Sequence, residues 1–169
     1  MDIDKLRIVH YPAKVLAQKA QPIEEVDDTI RGLADRMIDL MIEDRGVGLA
    51  APQVGLSLRL FVISVDGTRE QARAYINPVI KPSGDIEVRE EGCLSVPGIY
   101  TKIRRYHACE VTALDVNGNS FTEKAEDLHA RALQHEYDHL EGITIVNRMG
   151  SAAKIAHRRQ LKKLETAIL

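Results

Sequence analysis

The segment Gln134-His135-Glu136-Tyr137-Asp138-His139 constrains this chain more than any other, because it sets two imidazoles four residues apart with a carboxylate directly after the first. On a helix, residues four apart share a face, so both rings can close on one metal ion while Glu136 lies beside the water that such an ion holds. Leu128 to Leu140 therefore has to be helical, and Gly142 stands where a helix-ending glycine is expected. A hydrolytic centre of the zinc type keeps three protein ligands and one open position. A third donor must come from elsewhere in the chain.

The remaining pattern surrounds that helix with strands. From Val26 to Arg45, apolar Ile30, Leu33, Met37, Leu40 and Met41 recur at helical spacing, with Asp27 and Asp28 favourably placed at the start. Gly46 and Gly48 stop this helix, and Leu49-Ala50-Ala51-Pro52-Gln53 follows as an extended or turning segment, since proline disfavours helix in the residue before it. Strands are expected at Arg59 to Val65, Ala74 to Asn77, Ile86 to Arg89, Tyr106 to Asp115 and Phe121 to Lys124. The fourth alternates Cys109, Val111 and Ala113 on one face and runs into Asn117-Gly118, a hairpin turn pair. A last helix is expected from Ser151 as N-cap, with Leu161, Leu164 and Ile168 on one side and Arg158, Arg159, Lys162 and Lys163 on another.

Helix, then many short strands, then helices is the order of an α+β fold, with antiparallel strands packed around the central histidine-bearing helix and a C-terminal helix closing the chain. A length of 169 residues suits one domain over 1–169, large enough to bury an apolar core unaided.

Composition removes several function classes. A formal net charge of −2 offers no global basic field for nucleic acid. The start, Met1-Asp2-Ile3-Asp4-Lys5, is acidic and lacks the apolar core of a signal peptide, and no apolar run is long enough to cross a bilayer. With Cys93 and Cys109 as the two cysteines, in different contexts, reduced thiols and a cytoplasmic location are expected. Cys109 reads as inert core, and His10, His107, His129 and His157 lack ligand spacing and read as structural.

Three positions compete to be the third ligand. One zinc-peptidase pattern puts a third His six residues after the second; Gly142 fits that pattern, but position 145 is Ile. A downstream carboxylate, Glu165, comes next, although it sits among Lys162, Lys163 and Leu164 on what reads as a solvated face. The remaining position is Cys93, in Glu91-Gly92-Cys93-Leu94-Ser95, where small neighbours let a thiolate approach an ion already held by two imidazoles. Taken alone, a single cysteine reads sooner as a small buried hydrophobe.

It does not stand alone. Gly46-Val47-Gly48-Leu49-Ala50-Ala51-Pro52-Gln53, Glu91-Gly92-Cys93-Leu94-Ser95 and Gln134-His135-Glu136-Tyr137-Asp138-His139 together resemble the three signature motifs of the peptide deformylases, in that family's order. Ile8-Val9-His10-Tyr11-Pro12, Asn77-Pro78 and Arg105 extend the resemblance to about Arg148. It implies an enzyme that removes the formyl group from the initiator methionine of newly made polypeptides. The metal ligands would be Cys93, His135 and His139, and Glu136 the acid/base. The family commonly works with Fe(II), while zinc, nickel or cobalt can occupy the same donors, and sequence does not choose among them.

The resemblance also implies an oxyanion site made by the Gln53 side-chain amide and the Leu94 N–H. Main-chain groups around Val47, Gly48 and Gly92 would pair with an extended peptide, and Leu128, Ala132 and Leu133 would wall the methionine pocket. Glu91 and Arg105 would form a supporting ion pair behind the Cys93 loop, and Asp138 would brace the fold by hydrogen bonding. A divalent metal lowers the pKa of bound water from about 15.7 towards about 7. Glu136 could then take the water proton and hand it to the leaving amine.

The basic residues after Ser151 read first as a solvated amphipathic cap; the alternative, which the resemblance to bacterial relatives implies, is a C-terminal helix that docks on the ribosome near the nascent-chain exit. The chain departs from the common family pattern at Ile143-Thr144-Ile145-Val146-Asn147-Arg148, where a Leu-Phe pair and an Asp before the Arg are frequent, and at Ile42, where an aromatic is frequent. Both departures bear on pocket shape rather than on ligands. The competing readings are a zinc endopeptidase using Glu165 and a metal-binding partner protein without catalysis, which would need neither Glu136 nor Gln53.

Overall fold

The computed structural model describes residues 2–167, so Ile168, assigned from sequence to the apolar side of the last helix, lies outside the described residues. One sheet is formed by β1 (Gly48–Ala50), β2 (Leu60–Ile63), β3 (Arg73–Glu91), β4 (Thr101–Leu114) and β5 (Ser120–Glu126), each strand antiparallel to the next in chain order. Helix α1 (Asp28–Glu43) precedes it; α2 (Asp127–Leu140), α3 (Ile145–Arg148), α4 (Ser151–Ala156) and α5 (Arg158–Thr166) follow. The architecture is α+β, an antiparallel sheet with helices.

Side-chain alternation decides where the two long helices lie. Successive residues of a strand point to opposite faces. Leu60 and Val62 of β2 accordingly pack with Leu33, Met37 and Met41 of α1, whereas Phe61 and Ile63 pack with Ala130, Leu133 and Leu140 of α2. All four β2 residues are buried, so this strand is sandwiched between the helices. A one-residue slip would exchange the two apolar sets, which makes its register strongly specified.

Local signals explain the element ends. Asp27 caps α1, its Oδ1 accepting from the Ile30 N–H at 2.9 Å. Gly142 follows α2 with φ of 74°, and a Cβ there would stand 2.9 Å from the Ala17 carbonyl carbon and oxygen. Only glycine suits both the left-handed conformation and that approach.

Other boundaries differ from the sequence expectation. Ala74 to Asn77 and Ile86 to Arg89 are two parts of one 19-residue strand, β3, whose pairing with β4 shifts register between Ile76 and Val79 and again between Ser83 and Ile86. Asn77 takes a φ of 50° at the first irregularity, where its side-chain amide accepts from Ile23 N at 2.9 Å and donates to Ile23 O at 2.8 Å. β4 begins at Thr101 rather than Tyr106. The β4–β5 turn uses Gly118 at φ 80°, with the Asp115 carboxylate accepting from the N–H groups of Asn117 and Asn119 at 2.8 and 2.9 Å.

Ser151 is the first residue of α4, with Gly150 in the cap position, and the C-terminal stretch breaks at His157 into two helices. Leu161 ties α5 back to Ile99, Ile103, Ile145 and Met149. Both cysteines are free. Among the described residues, no helix is long and apolar enough to cross a membrane.

Candidate active site

Helix α2 carries two functional stripes. Leu133 and Leu140 face the core, while Ala132, His135 and Glu136 line a cleft of about 740 Å³. Gln134 holds the helix to β4, accepting from Tyr106 N at 3.0 Å and donating to Tyr106 O at 2.8 Å. With α2 fixed in this way, the Nε2 atoms of His135 and His139 lie 3.3 Å apart, and Cys93 Sγ lies 3.4 Å from His139 Nε2. Ligand-type atoms of Cys93, His135 and His139 all fall within 4.8 Å of one another.

The ring of His135 is oriented from behind. Its Nδ1 bonds Glu91 Oε1 at 2.9 Å, and this carboxylate partner leaves Nε2 facing Cys93 and His139. Glu91 is itself gripped by Arg105, Nε to Oε2 and Nη2 to Oε1, both at 3.0 Å, and by Arg131 Nη1 at 2.6 Å. Burial alone would raise the Glu91 pKa; the bonds from His135 and Arg105 outweigh it and hold the carboxyl well below the usual range. Asp138, three residues after His135 on α2, accepts from Arg105 and from Arg148. Burial drives the His139 pKa well below its ordinary value, which keeps that ring an unprotonated donor.

Gln53 is placed by its backbone neighbours. Its Oε1 accepts from Ala50 N at 2.8 Å, which turns Nε2 towards Cys93 Sγ at 3.5 Å and Ser95 Oγ at 3.2 Å. The Cys93 loop, between β3 and β4, is tied by Val96 N to Cys93 O at 2.9 Å and by Tyr11 N to Ser95 O at 2.8 Å. Leu94 lines the cleft beside them. Glu136 is buried at 4% exposure, its Oε2 has no hydrogen-bond partner, and burial pushes its pKa up to about 7. Its side chain lies against β1, where a Cβ on Gly48 would stand 2.5 Å from Glu136 Oε1. A glycine at this position is therefore a requirement of the carboxylate's seat.

Val47 and Gly48 form one wall of the cleft and Gly92 another, with Leu128 and Ala132 contributing from α2. Leu133, expected in the pocket wall, is instead fully buried beneath it beside Phe61, because it lies on the core stripe of the helix. Glu165 does not join the donor group: its carboxylate is exposed and accepts from Tyr11 OH at 3.1 Å. His129 meets Tyr75 OH at 3.3 Å, and His107 meets Glu87 at 3.0 Å. Burial raises the Cys109 thiol to about 11, as suits an inert core residue.

Sequence reasoning gave no role to Ser95, which bonds Gln53, nor to Arg131, Ile99 and Tyr100, which line the cleft. Arg131 carried a usable signal, being one helical turn before His135 on the same face. Ser95, fully buried against Gln53, carried none.

Comparison with known proteins gives one family. The sequence profile described as Polypeptide deformylase matches residues 5–154. The peptide deformylase of Chromohalobacter salexigens is 41% identical over 162 residues, covering 95% of this chain and 94% of that protein. Peptide deformylase 1 of Clostridium perfringens is 44% identical over 135 residues, covering 79% of this chain and 90% of that one. A crystal structure of a peptide deformylase from Legionella pneumophila matches with a TM-score of 0.90 at 40% identity, covering 96% of both chains.

Proposed function

Because this chain belongs to the polypeptide deformylase family, we propose that its cleft performs that family's reaction with Cys93, His135 and His139 as metal ligands and Glu136 as acid/base. The protein is an enzyme that removes the formyl group from N-terminal methionine. What carries the residue assignment is a single observation, the convergence of the Cys93 sulfur and both Nε2 atoms beside a buried Glu136.

The donors fit a divalent cation. One thiolate and two imidazoles form an accepted catalytic ligand set, and the Nδ1 of His135 is already committed to Glu91, leaving Nε2 for the ion. Fe(II) is the ion we favour as native, on the family resemblance; zinc, nickel and cobalt suit the same donors. When bound, such an ion supplies Lewis acidity and makes water acidic enough to yield a nucleophile near neutral pH.

The side chains do the rest. Glu136 takes the proton of the attacking water as the formyl carbon becomes tetrahedral, then delivers it to the departing amine, so that formate and a free amino terminus result. A cation beside it would draw its raised pKa back down and favour the base form at the start of the cycle. Gln53 Nε2 and the Leu94 N–H donate to the oxygen that gains charge, an interaction worth about 10²–10³ in rate per donor. Main-chain groups of Val47, Gly48 and Gly92 hold the peptide in extended form, reading backbone rather than side chains. Leu128 and Ala132, with Leu133 beneath them as support, shape the recess for the methionine side chain.

We assign the whole of 1–169 to one catalytic domain built around α2. Its substrates are nascent formylated polypeptides, and we propose the cytoplasm as its location, on its likeness to bacterial enzymes. A ribosome contact through Arg158, Arg159, Lys162 and Lys163 rests on their exposure along α5 and on the family resemblance. The endopeptidase reading loses its third ligand with the location of Glu165.

The test uses protein loaded anaerobically with Fe(II) or Ni(II). It should hydrolyse formyl-Met-Ala, and Glu136→Gln should keep its metal while losing about 10²–10⁴ in kcat. Intact metal with no hydrolysis by the parent would favour the non-catalytic metal-binding reading.

A further inference from the structure

The acid–base ladder behind the donors extends one step further than the chemistry requires. Arg148, on α3, clamps Asp138 with Nε to Oδ2 at 2.8 Å and Nη2 to Oδ1 at 2.6 Å. Asp138 also accepts from Arg105 Nη1 through Oδ2, and the other edge of Arg105, Nε and Nη2, holds both oxygens of Glu91. Glu91 Oε1 holds His135 Nδ1. Arg105, Glu91 and Asp138 are all buried, at 4%, 8% and 6% exposure, whereas the Arg148 side chain is 43% exposed and bonds none of the three donors.

We propose that Arg148 is a positioning residue for the metal centre, acting by occupying Asp138 so that Arg105 stays on Glu91. A guanidinium presents five donors in a fixed fork, and the buried Arg105 is shared between two carboxylates that compete for it. With Arg148 in place, each oxygen of Asp138 already has a partner, and Arg105 needs to give it only Nη1. Without Arg148, Asp138 keeps a full charge and an unsatisfied oxygen in a buried setting. Such a group draws Arg105 into a two-point contact of its own. Glu91 would then lose its bidentate partner and be left to Arg131, and the His135 ring would lose its fixed orientation.

Local structure supports the role. Thr144 and Asn147 close a reciprocal cap on α3, with Thr144 N bonding Asn147 Oδ1 at 2.8 Å and Val146 N bonding Thr144 Oγ1 at 3.2 Å. This presents Arg148 to α2 from a fixed turn. The arrangement rests on the assignment of Cys93, His135 and His139 as ligands, and the experiment separates the two ideas.

The experiment follows metal loss from the Co(II)-loaded protein to an excess chelator, reading the cobalt–thiolate absorption. Substituting a partner behind a metal ligand costs about 10–100-fold in metal affinity, and Arg148, one step further out, should sit near the lower end. Arg148→Met should lose Co(II) about ten times faster than the parent. Adding Asp138→Asn removes the competing charge, so the double variant should return to within about threefold of the parent, although α3 is then held no better. If Arg148 merely pins α3 to α2, the double variant will be no slower than the single one, and that result overturns the proposal, as does a parental rate for Arg148→Met. Should Arg148→Met fail to fold, Arg148→Lys serves: it keeps the cation but not the two-point clamp, and should show a smaller acceleration that Asp138→Asn reverses, whereas no acceleration overturns the proposal. A parent that takes up no cobalt, or shows no thiolate band, refutes the ligand assignment instead.

Discussion

Among the described residues, two clusters bring three metal-ligand side chains within 4.8 Å of one another, and they differ in what those side chains are already doing. At Cys93, His135 and His139, the outward nitrogen of His135 is committed to Glu91, and the atoms that face inward meet one another and, at the Cys93 sulfur, the Gln53 amide 3.5 Å away. At Glu87, His107 and Asp127, the group lies at the surface, His107 Nδ1 sits 3.0 Å from Glu87 and 3.6 Å from Asp127, and Arg89 reaches both carboxylates at 3.0 and 3.7 Å. The second cluster supplies its own cation. Proximity of donors alone does not make a metal site; donor atoms left facing one another with no resident cation do.

The comparison breaks most severely if the buried donors prove dispensable. Removing one, by Cys93→Ala or His139→Ala, should abolish stoichiometric metal binding and lower kcat/KM by more than about 10³, since the water nucleophile goes with the ion. Elemental analysis of anaerobically purified protein, paired with the formyl-Met-Ala assay, gives both readouts. Full metal content in either variant would place the ion somewhere else.

A subtler change sharpens the same point without touching a ligand. Gly48 is held in β1 by pairing with Ile63, so the backbone cannot retreat from a new methyl group. Gly48→Ala would put that methyl 2.5 Å from Glu136 Oε1 and 2.8 Å from its Cγ, so the carboxylate must move. Displacing a reacting group by about 1 Å can cost 10²-fold. Metal content should remain parental while kcat falls by about that factor; an unchanged kcat would mean that Glu136 has no fixed seat.

Much of this was legible beforehand, and the reasons follow the range of each interaction. Helices α1 and α2 announce themselves because their apolar residues recur at local spacing, and the pairing of His135 with His139 needs no information beyond one helical turn. The middle of β3 did not, because Lys81 to Asp85 is polar and exposed, and it is a strand only by virtue of running beside β4. Leu133 was misplaced for a geometric reason: Leu128, Ala132 and His135 fall on one stripe, and the step from 132 to 133 rotates a side chain about 100° towards the core. Cys93 could be nominated as a donor only through the resemblance of three separate motifs. Ser95 answers to Gln53, 42 residues away, and Arg148 to Asp138 across a turn between two helices, and no periodic pattern records such partners.

The smallest effect belongs to the surface cluster. His107→Ala removes the nitrogen shared by Glu87 and Asp127 but leaves Arg89 to neutralise both acids. Exposed ion pairs contribute roughly 0–1 kcal/mol, so the unfolding midpoint should move little and catalysis not at all. Calorimetric titration with Zn(II) is the decisive measurement, because zinc accepts imidazole and carboxylate ligands readily. Parent and His107→Ala should both take up one tight equivalent, the one lost in Cys93→Ala. A second tight equivalent that disappears with His107 would show that an ion can displace Arg89 from its two carboxylates. The contrast between a cluster that waits for a cation and one that already has one would then be a matter of degree, set by how firmly the resident guanidinium is held.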